Sequence, residues 1–312
     1  MALASLADVP AEVVGVAHRV VHGGALREPA EIDDALQARL EHLVELAPLH
    51  NAPAVRAIAE ARRALPGIPH VAVYDTAFHA TIPAFAATYA LPAEWRQDIR
   101  RYGFHGLSVQ WASRQVQVRR LVVCHLGGGC SVTAVRDGRS VDTTMGFTPL
   151  EGVPMATRPG TVDPGALLYL LRHGVTLAEL DEAIEHRSGL LALSGTSGDV
   201  AELERTPTEG AGFALELLAY RVAAAVGAMA VALDGLEALV FTAGIGENSA
   251  RVRRDVCTRL GFLGVELDQG RNDGAEPDAE IAAEGSAVRV LVLRAREELV
   301  AAEAARALLG CG

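Results

Sequence analysis

Leu121-Val122-Val123-Cys124-His125-Leu126-Gly127-Gly128-Gly129-Cys130-Ser131 is an apolar run that ends in three consecutive glycines. A second run of the same form, Ala238-Leu239-Val240-Phe241-Thr242-Ala243-Gly244-Ile245-Gly246-Glu247-Asn248, comes much later in the chain. Each reads as a short buried strand followed by a glycine-rich turn. Glycine lets backbone N–H groups crowd around an anion with no Cβ in the way, so the pair suggests one nucleotide site split over two strands. Either turn alone reads equally well as a plain chain reversal, and neither has the GxGxxG or GxxxxGK[ST] form. The chain has no lysine, so all 28 cationic side chains are arginines. A P-loop with its phosphate lysine is excluded, and so are Schiff-base and pyridoxal chemistry.

Outward from these runs, strands and helices alternate. Val13 to Val21 reads as a strand, and Asp33 to Leu46 repeats Leu36, Leu40, Leu43 and Val44 at helical spacing. Ala54 to Leu65 reads as a second helix and His70 to Tyr74 as a short strand, an order that implies a mainly parallel sheet. From Leu121 the pattern becomes a meander: Leu121 to His125, Ser131 to Arg136, and Ser140 to Thr143 after Asp137-Gly138. Helices are predicted at Gly165 to His173, Leu177 to His186, Gly212 to Leu233, Asn248 to Leu260 and Glu297 to Leu309, and a strand at Val288 to Leu293. Gln269 to Glu284 reads as a polar surface loop.

With 312 residues, half of them hydrophobic, the chain is long enough for a large core, and its length favours two domains over one. A formal charge of −11 and no clustered arginines argue against nucleic acid as a partner. Four scattered cysteines, Cys124, Cys130, Cys257 and Cys311, form neither a disulfide framework nor a zinc spacing, which suits a reducing cytoplasm. The first residues lack the pattern of a signal peptide. The longest apolar stretch, Val222 to Leu233, falls well short of the ~20 residues that span a bilayer, so no membrane is expected and the stretch reads as a buried helix.

Polar residues cluster in the predicted loops after strands, where α/β proteins place their sites. They are His18 to Gly24, Pro48 to Asn51, Asp75 to His79, Arg101 to Gly106, and Asp142 to Gly152 running on to Arg158. A single histidine there reads equally as a core or capping residue, and a single arginine as half of a surface ion pair. Arg19, however, follows an apolar strand and precedes His22-Gly23-Gly24, a poor place for a solvated side chain. A half-buried guanidinium suits a planar carboxylate or a phosphate.

In order and spacing, His18 to Gly24, Asp75 to His79, Tyr102 to Gly106, His125 to Ser131, Asp142 to Arg158 and Phe241 to Asn248 resemble the acetate kinase family, from about Val13 to Ala305. The resemblance implies two actin-like (ribonuclease H-like) α/β domains with mixed sheets flanked by helices. The first would span 1–80, completed by helix 297–312, and the second 81–296, with nucleotide in the cleft between them. It implies reversible phosphorylation of acetate by ATP with Mg²⁺ or Mn²⁺, in a cytoplasmic homodimer. A propionate or butyrate kinase, or a nucleotide-binding relative without turnover, stays open beside it. By position, Arg19 and Arg158 would bind the carboxylate and the transferred phosphoryl group, and His105 would stabilise the transition state. Val21, Leu49, Phe104 and Pro149 would form the methyl pocket, with His50 beside it. His125, Leu126, Gly127, Gly128 and Gly129 match the phosphate loop. Gly244, Ile245, Gly246, Glu247 and Asn248 match the adenosine turn, with Asp199, Val200 and Ala201 in the same nucleotide region. Glu297 falls on the metal-site glutamate. Asp75 falls on a catalytic position, but a carboxylate substrate with a pKa near ~4 has no proton to give up at neutral pH, so Asp75 is expected to orient Arg19 or a metal-bound water.

The sequence also departs from the family pattern. Nothing matches the opening Asn-x-Gly-Ser-Ser-Ser loop that grips phosphates, so an N-terminally incomplete first domain and weakened activity are expected. Gly128 stands where an asparagine is usual, Ala201 where an arginine stacks near the adenine, and Thr161 where an acidic residue is usual.

Overall fold

A computed structural model of the chain describes residues 13–46 and 48–310, with the backbone alone at 46 and 48–50. These residues divide into two compact units, one up to 77 together with 296 onward, the other 78–295. Both are α/β and both are built on a mixed sheet flanked by helices, the fold class that the sequence predicts.

The smaller unit has three strands, β1 (Val16–Val20), β2 (Ala30–Glu31) and β3 (His70–Tyr74), in the order β1-β3-β2. Strand β3 lies in the middle, parallel to β1 and antiparallel to β2, so all five of its residues are buried. That is why its sequence is an unbroken His-Val-Ala-Val-Tyr run rather than an alternating one. Helix Asp34–His42 starts where the Asp33 carboxylate accepts the Leu36 N–H at 2.7 Å. The next helix is Pro48–Ala64, six residues longer at its start than the sequence predicts. Pro48, with its preset φ, opens it, and Pro53 is tolerated inside rather than marking the start. Val20, Ile32, Leu40, Ile58, Ala72 and Tyr74 form the core, and helix Glu297–Leu309 packs on β1 and β3.

The larger unit has six strands in the order β6-β5-β4-β7-β9-β8. The predicted meander is β4 (Arg120–Leu126), β5 (Cys130–Arg136) and β6 (Arg139–Thr143), all antiparallel. Strands β7 (Ala238–Thr242) and β9 (Arg289–Val292) then run parallel to β4. Strand β8 (Ala279–Glu280) closes the edge antiparallel to β9. The segment read as a surface loop therefore contributes β8 and the short helix Gln269–Asp273, and it buries Asn272 and Ile281. Its polar composition hid two buried anchor points, one polar and one apolar. The predicted Asn248 to Leu260 helix is two pieces, Ala243–Asn248 and Ala250–Thr258, because Ser249 caps the second by accepting the Val252 N–H at 3.0 Å.

Helix Glu209–Leu233 is long and apolar enough, by length and composition, to cross a membrane. Half of its most apolar window is buried, against helices Gly189–Ser194 and Ala250–Thr258 and strands β4 and β5. Cys124, Cys130 and Cys257 are buried free thiols, while Cys311 lies outside the described residues. Burial pushes the Cys130 thiol up to about 11 and that of Cys257 to about 12, so neither is a ready nucleophile.

Candidate functional site

The parallel pairing of β4 with β7 sets His125 opposite Thr242, so the two glycine-rich segments leave the same end of the sheet side by side. The first is a tight hairpin loop, closed by Gly127 N–H donating to the Gly129 carbonyl at 3.0 Å. The second is not an open turn but a turn of helix, Ala243–Asn248, entered through Ala243 at a φ of +66°. A non-glycine residue there is uncommon. Glu247 braces it by accepting the N–H groups of Ala243 (3.0 Å) and Ala295 (2.8 Å).

Beside these segments lies a cavity of about 450 Å³ lined by Gly127, Gly128, Ala156, Gly198, Asp199, Val200, Ala201, Glu204, Gly244, Ile245, Asn248 and Ser249. Eight of the residues assigned to the nucleotide from sequence line it. His125, Leu126, Gly129, Gly246 and Glu247 do not: Leu126 is buried in the sheet, Gly246 packs on Phe241, the Glu247 carboxylate is taken up internally, and His125 and Gly129 lie on the histidine side of the hairpin loop. Asp199 lines the cavity but its side chain caps helix Val200–Arg205, accepting the Glu202 N–H at 3.0 Å.

Sequence reasoning missed the residue that anchors the second segment. Arg253 is 2% exposed and donates to the carbonyls of Gly246 (3.0 Å) and Glu247 (2.8 Å), and to the side chain and carbonyl of Asn272, both at 2.8 Å. A signal was present, because Arg253 falls on the same helical face as the buried Val252, Val256 and Cys257.

At the other side of the hairpin loop, His105 and His125 stack with ring centroids 3.9 Å apart at 17°. Nδ1 of His105 lies 3.0 Å from the Ser131 hydroxyl, and Nδ1 of His125 lies 2.9 Å from that of Ser108. The hydroxyl at Nδ1 fixes how each ring is turned. A Cβ on Gly129 would come within 2.9 Å of Arg158 Nη2 and 3.3 Å of His105 Nε2, so the loop, the arginine and the histidine converge on one point and the crowding demands glycine. Arg158 is 6% exposed and donates from Nη1 to the Pro149 carbonyl at 2.9 Å. Among the described residues it forms no ion pair. Burial lowers its pKa, with Glu185 acting at longer range in the opposite sense. A buried guanidinium without a carboxylate is a site that favours an anion. Phe104 and Pro149, two of the predicted pocket residues, are buried.

The smaller unit carries the other cluster. Arg19, on β1, meets Asp75, just past β3, in a two-pronged pair: Nε to Oδ1 at 3.0 Å and Nη2 to Oδ2 at 2.7 Å. Its Nη1 reaches Glu297 Oε2 at 2.6 Å. Burial alone would lower the Arg19 pKa, but the two carboxylates raise it. Burial pushes the Glu297 carboxyl up to about 7, against the pull of Arg19. Glu297 Oε1 is buried with no hydrogen-bond partner. A free, buried carboxylate oxygen of this kind suits a hard cation such as Mg²⁺, which takes one or two carboxylates and fills the rest of its shell with water and phosphate oxygens. No group of three acidic, histidine or cysteine ligands exists among the described residues. Val21 lies at the end of β1, half-buried, whereas the side chains of Leu49 and His50 lie outside the described residues.

The chain matches the Acetokinase family over residues 2–303. It is 47% identical to an acetate kinase of Synechococcus sp. (strain JA-2-3B'a(2-13)), an alignment covering 98% of this chain and 79% of that one. Among solved structures it superimposes on Porphyromonas gingivalis acetate kinase with a TM-score of 0.88 at 37% identity, covering 96% of this chain and 79% of that one. It superimposes equally well on a propionate kinase from Francisella tularensis subsp. tularensis SCHU S4, with a TM-score of 0.88 at 37% identity over 93% of this chain and 78% of that one. A family match spanning nearly the whole sequence, with relatives of this identity and coverage, makes the chain a member of the acetokinase family.

Proposed function

We propose that this chain transfers the γ-phosphoryl group of ATP to acetate, reversibly, giving acetyl phosphate and ADP. The observation that carries the reading is Arg158, a buried cation with no ion pair among the described residues, set against Gly129 and His105. An acetate oxygen attacks the γ-phosphorus while the bond from that phosphorus to the β–γ bridging oxygen breaks, and charge spreads over the three equatorial oxygens. Arg158 and the His105 ring hold that charge, and the amides of Gly127 to Gly129 cradle the phosphates. Arg19 binds the carboxylate of acetate, and Asp75 fixes the direction of its guanidinium. Acetate arrives already ionised, so no general base is needed.

Glu297 would hold Mg²⁺ through its unpartnered oxygen, and the ion would supply positive charge to the phosphate groups of the nucleotide. The 450 Å³ cavity takes the adenosine moiety. Val21, Leu49, Phe104 and Pro149 are the residues that the family resemblance assigns to the substrate methyl group. The likeness to a propionate kinase supports a second reading, in which the same machinery takes propionate or butyrate. The protein works as a homodimer: helix Pro164–Arg172 buries none of its residues and exposes Leu168, Tyr169, Leu170 and Leu171, an apolar face that a second copy would cover. Three buried free thiols suit a reducing, cytoplasmic setting.

Hydroxylamine trapping tests the reaction. Chain, MgATP and acetate should yield acyl hydroxamate, and a KM series over acetate, propionate and butyrate ranks the acyl chains. ATP consumption without hydroxamate for any of the three overturns the reading.

A further inference from the structure

The position of Arg158 depends on the Pro149 carbonyl it donates to, and that carbonyl belongs to the stretch 144–152, which contains no helix or strand. Besides a backbone bond from Tyr102 N–H to the Gly146 carbonyl at 3.0 Å, a charged cluster that the phosphoryl transfer does not itself use holds this stretch. Arg101 Nη1 donates to three successive carbonyls, those of Thr143 (2.9 Å), Thr144 (3.0 Å) and Met145 (3.2 Å). Its Nη2 donates to Glu151 Oε1 at 2.7 Å, and its guanidinium carbon lies 5.6 Å from the centre of the Tyr89 ring. The Tyr89 hydroxyl donates to Glu151 Oε2 and accepts the Phe147 N–H at 3.0 Å. The base of the stretch is tied separately, by Thr161 N–H donating to the Gly152 carbonyl at 2.8 Å and Gly152 N–H donating to the Thr161 hydroxyl at 3.2 Å.

The chain leaves room for this cluster at one place in particular. A Cβ on Gly146 would overlap Glu151 Oε2 and the Tyr89 hydroxyl, so a side chain there has no room while the cluster is made. Gly146 is not at a positive φ, so the demand is one of space alone. The three side chains are far apart in sequence, and a half-buried arginine–carboxylate pair of this kind is weak evidence for stability. Fixing a geometry is the better-attested use of such a pair.

We infer that Arg101, Glu151 and Tyr89 are positioning residues: they clamp the 143–151 turn so that the Pro149 carbonyl holds Arg158 at the angle the transferred phosphoryl group requires. The inference rests on the phosphotransfer reading above for what Arg158 does, but not for the clamp itself. Arg101 grips the start of the turn through three carbonyls, Tyr89 grips its crown through Phe147 N–H, and Glu151 locks the two grips together. A displacement of about 1 Å at a reacting centre costs on the order of a hundredfold in rate, so the clamp matters to kcat far more than to the fold.

The test has two arms. In hydroxylamine trapping with the full chain, Glu151→Ala is expected to lower kcat by about a hundredfold while KM for ATP stays within about twofold. Glu151→Gln, which keeps an acceptor for Arg101, should recover most of that loss, and Gly146→Ala should reproduce it. In hydrogen–deuterium exchange without substrates, Tyr89→Phe should speed exchange of the Phe147 amide by about tenfold or more, with β4 unchanged. The inference is overturned if Glu151→Ala keeps kcat within about twofold, or if KM for ATP rises as far as kcat falls. It is equally overturned if the Phe147 amide exchanges no faster. If the unaltered chain makes no acyl hydroxamate, the phosphotransfer reading fails, and the exchange arm still decides whether the clamp exists.

Discussion

The two arginines at the centre of this protein are set in opposite electrostatic surroundings. Arg19, its side chain 38% exposed, is held by two carboxylates, whereas Arg158, 6% exposed, has none among the described residues. An isolated buried charge is costly, and a protein that keeps one has an anion to put there. With both carboxylates ionised, the Arg19 cluster is net negative and seeks a cation, which its free Glu297 oxygen is placed to take. The same residue type thus sits in two surroundings: in one unit it is paired with two carboxylates, and in the other it is buried with a backbone carbonyl as its partner.

The most forceful way to break this comparison is Arg158→Ala. With no second cation bonded at that spot, kcat for acyl phosphate formation should fall by about a thousandfold. Trapping with hydroxylamine measures it, and a fall smaller than that of Asp75→Ala would reverse the ranking of the two sites. Asp75→Ala leaves Arg19 one partner instead of two, so its guanidinium loses the fork that fixes its plane. The expected loss is about a hundredfold in kcat/KM for acetate, with KM for ATP little changed. Equal effects on both substrates would mean that Asp75 supports the unit as a whole.

Glu297 sharpens the contrast through pH. Its carboxyl titrates near 7, above the ordinary value of 4.5, because burial disfavours its charge. Between those values the folded chain binds more protons than the unfolded one, so metal-free stability falls as pH rises through that window, and the loss is complete above 7. Thermal unfolding of the metal-free chain should therefore show a lower Tm at pH 8 than at pH 5.5, by a few degrees on the order expected for a chain of this size. Glu297→Gln should flatten that difference, and Mg²⁺ should raise Tm more at pH 8 than at pH 5.5. A pH dependence that survives in Glu297→Gln belongs to another group.

What could be read in advance follows the same division. The β4–β5–β6 meander and the strand before each glycine segment were legible because buried strands write themselves as short apolar runs. The convergence of Gly129, His105 and Arg158 was legible only as a resemblance, since no local pattern links residues so far apart in sequence. Arg253 and Asn272 were not legible as partners, because bonds from a guanidinium to carbonyl and amide oxygens leave no charge pattern in the sequence. Asp199 shows the reverse case. It lines the cavity, but one oxygen of its carboxylate is committed to capping a helix. The extra turn at Pro48 and strand β8 were hidden by proline and by polar composition, where tertiary pairing outweighs local preference.

The gentlest probe leaves both arginine clusters alone. Ala201 lines the cavity at the first turn of helix Val200–Arg205, the position where the family resemblance implies an arginine near the adenine. Its own side chain offers a methyl group and nothing more, while Gly198, Val200 and Ile245 around the same cavity add no cation either. Ala201→Arg supplies a guanidinium on an exposed, helix-borne position, so the fold tolerates it. A cation stacked on a base contributes about 1 kcal/mol, which corresponds to roughly a fivefold lower KM for ATP. Because neither Arg19 nor Arg158 is touched, kcat and KM for acetate should stay where they are. A change in KM for acetate would mean that the nucleotide cavity and the arginine sites are coupled, and the contrast drawn between them would then have to be one of degree.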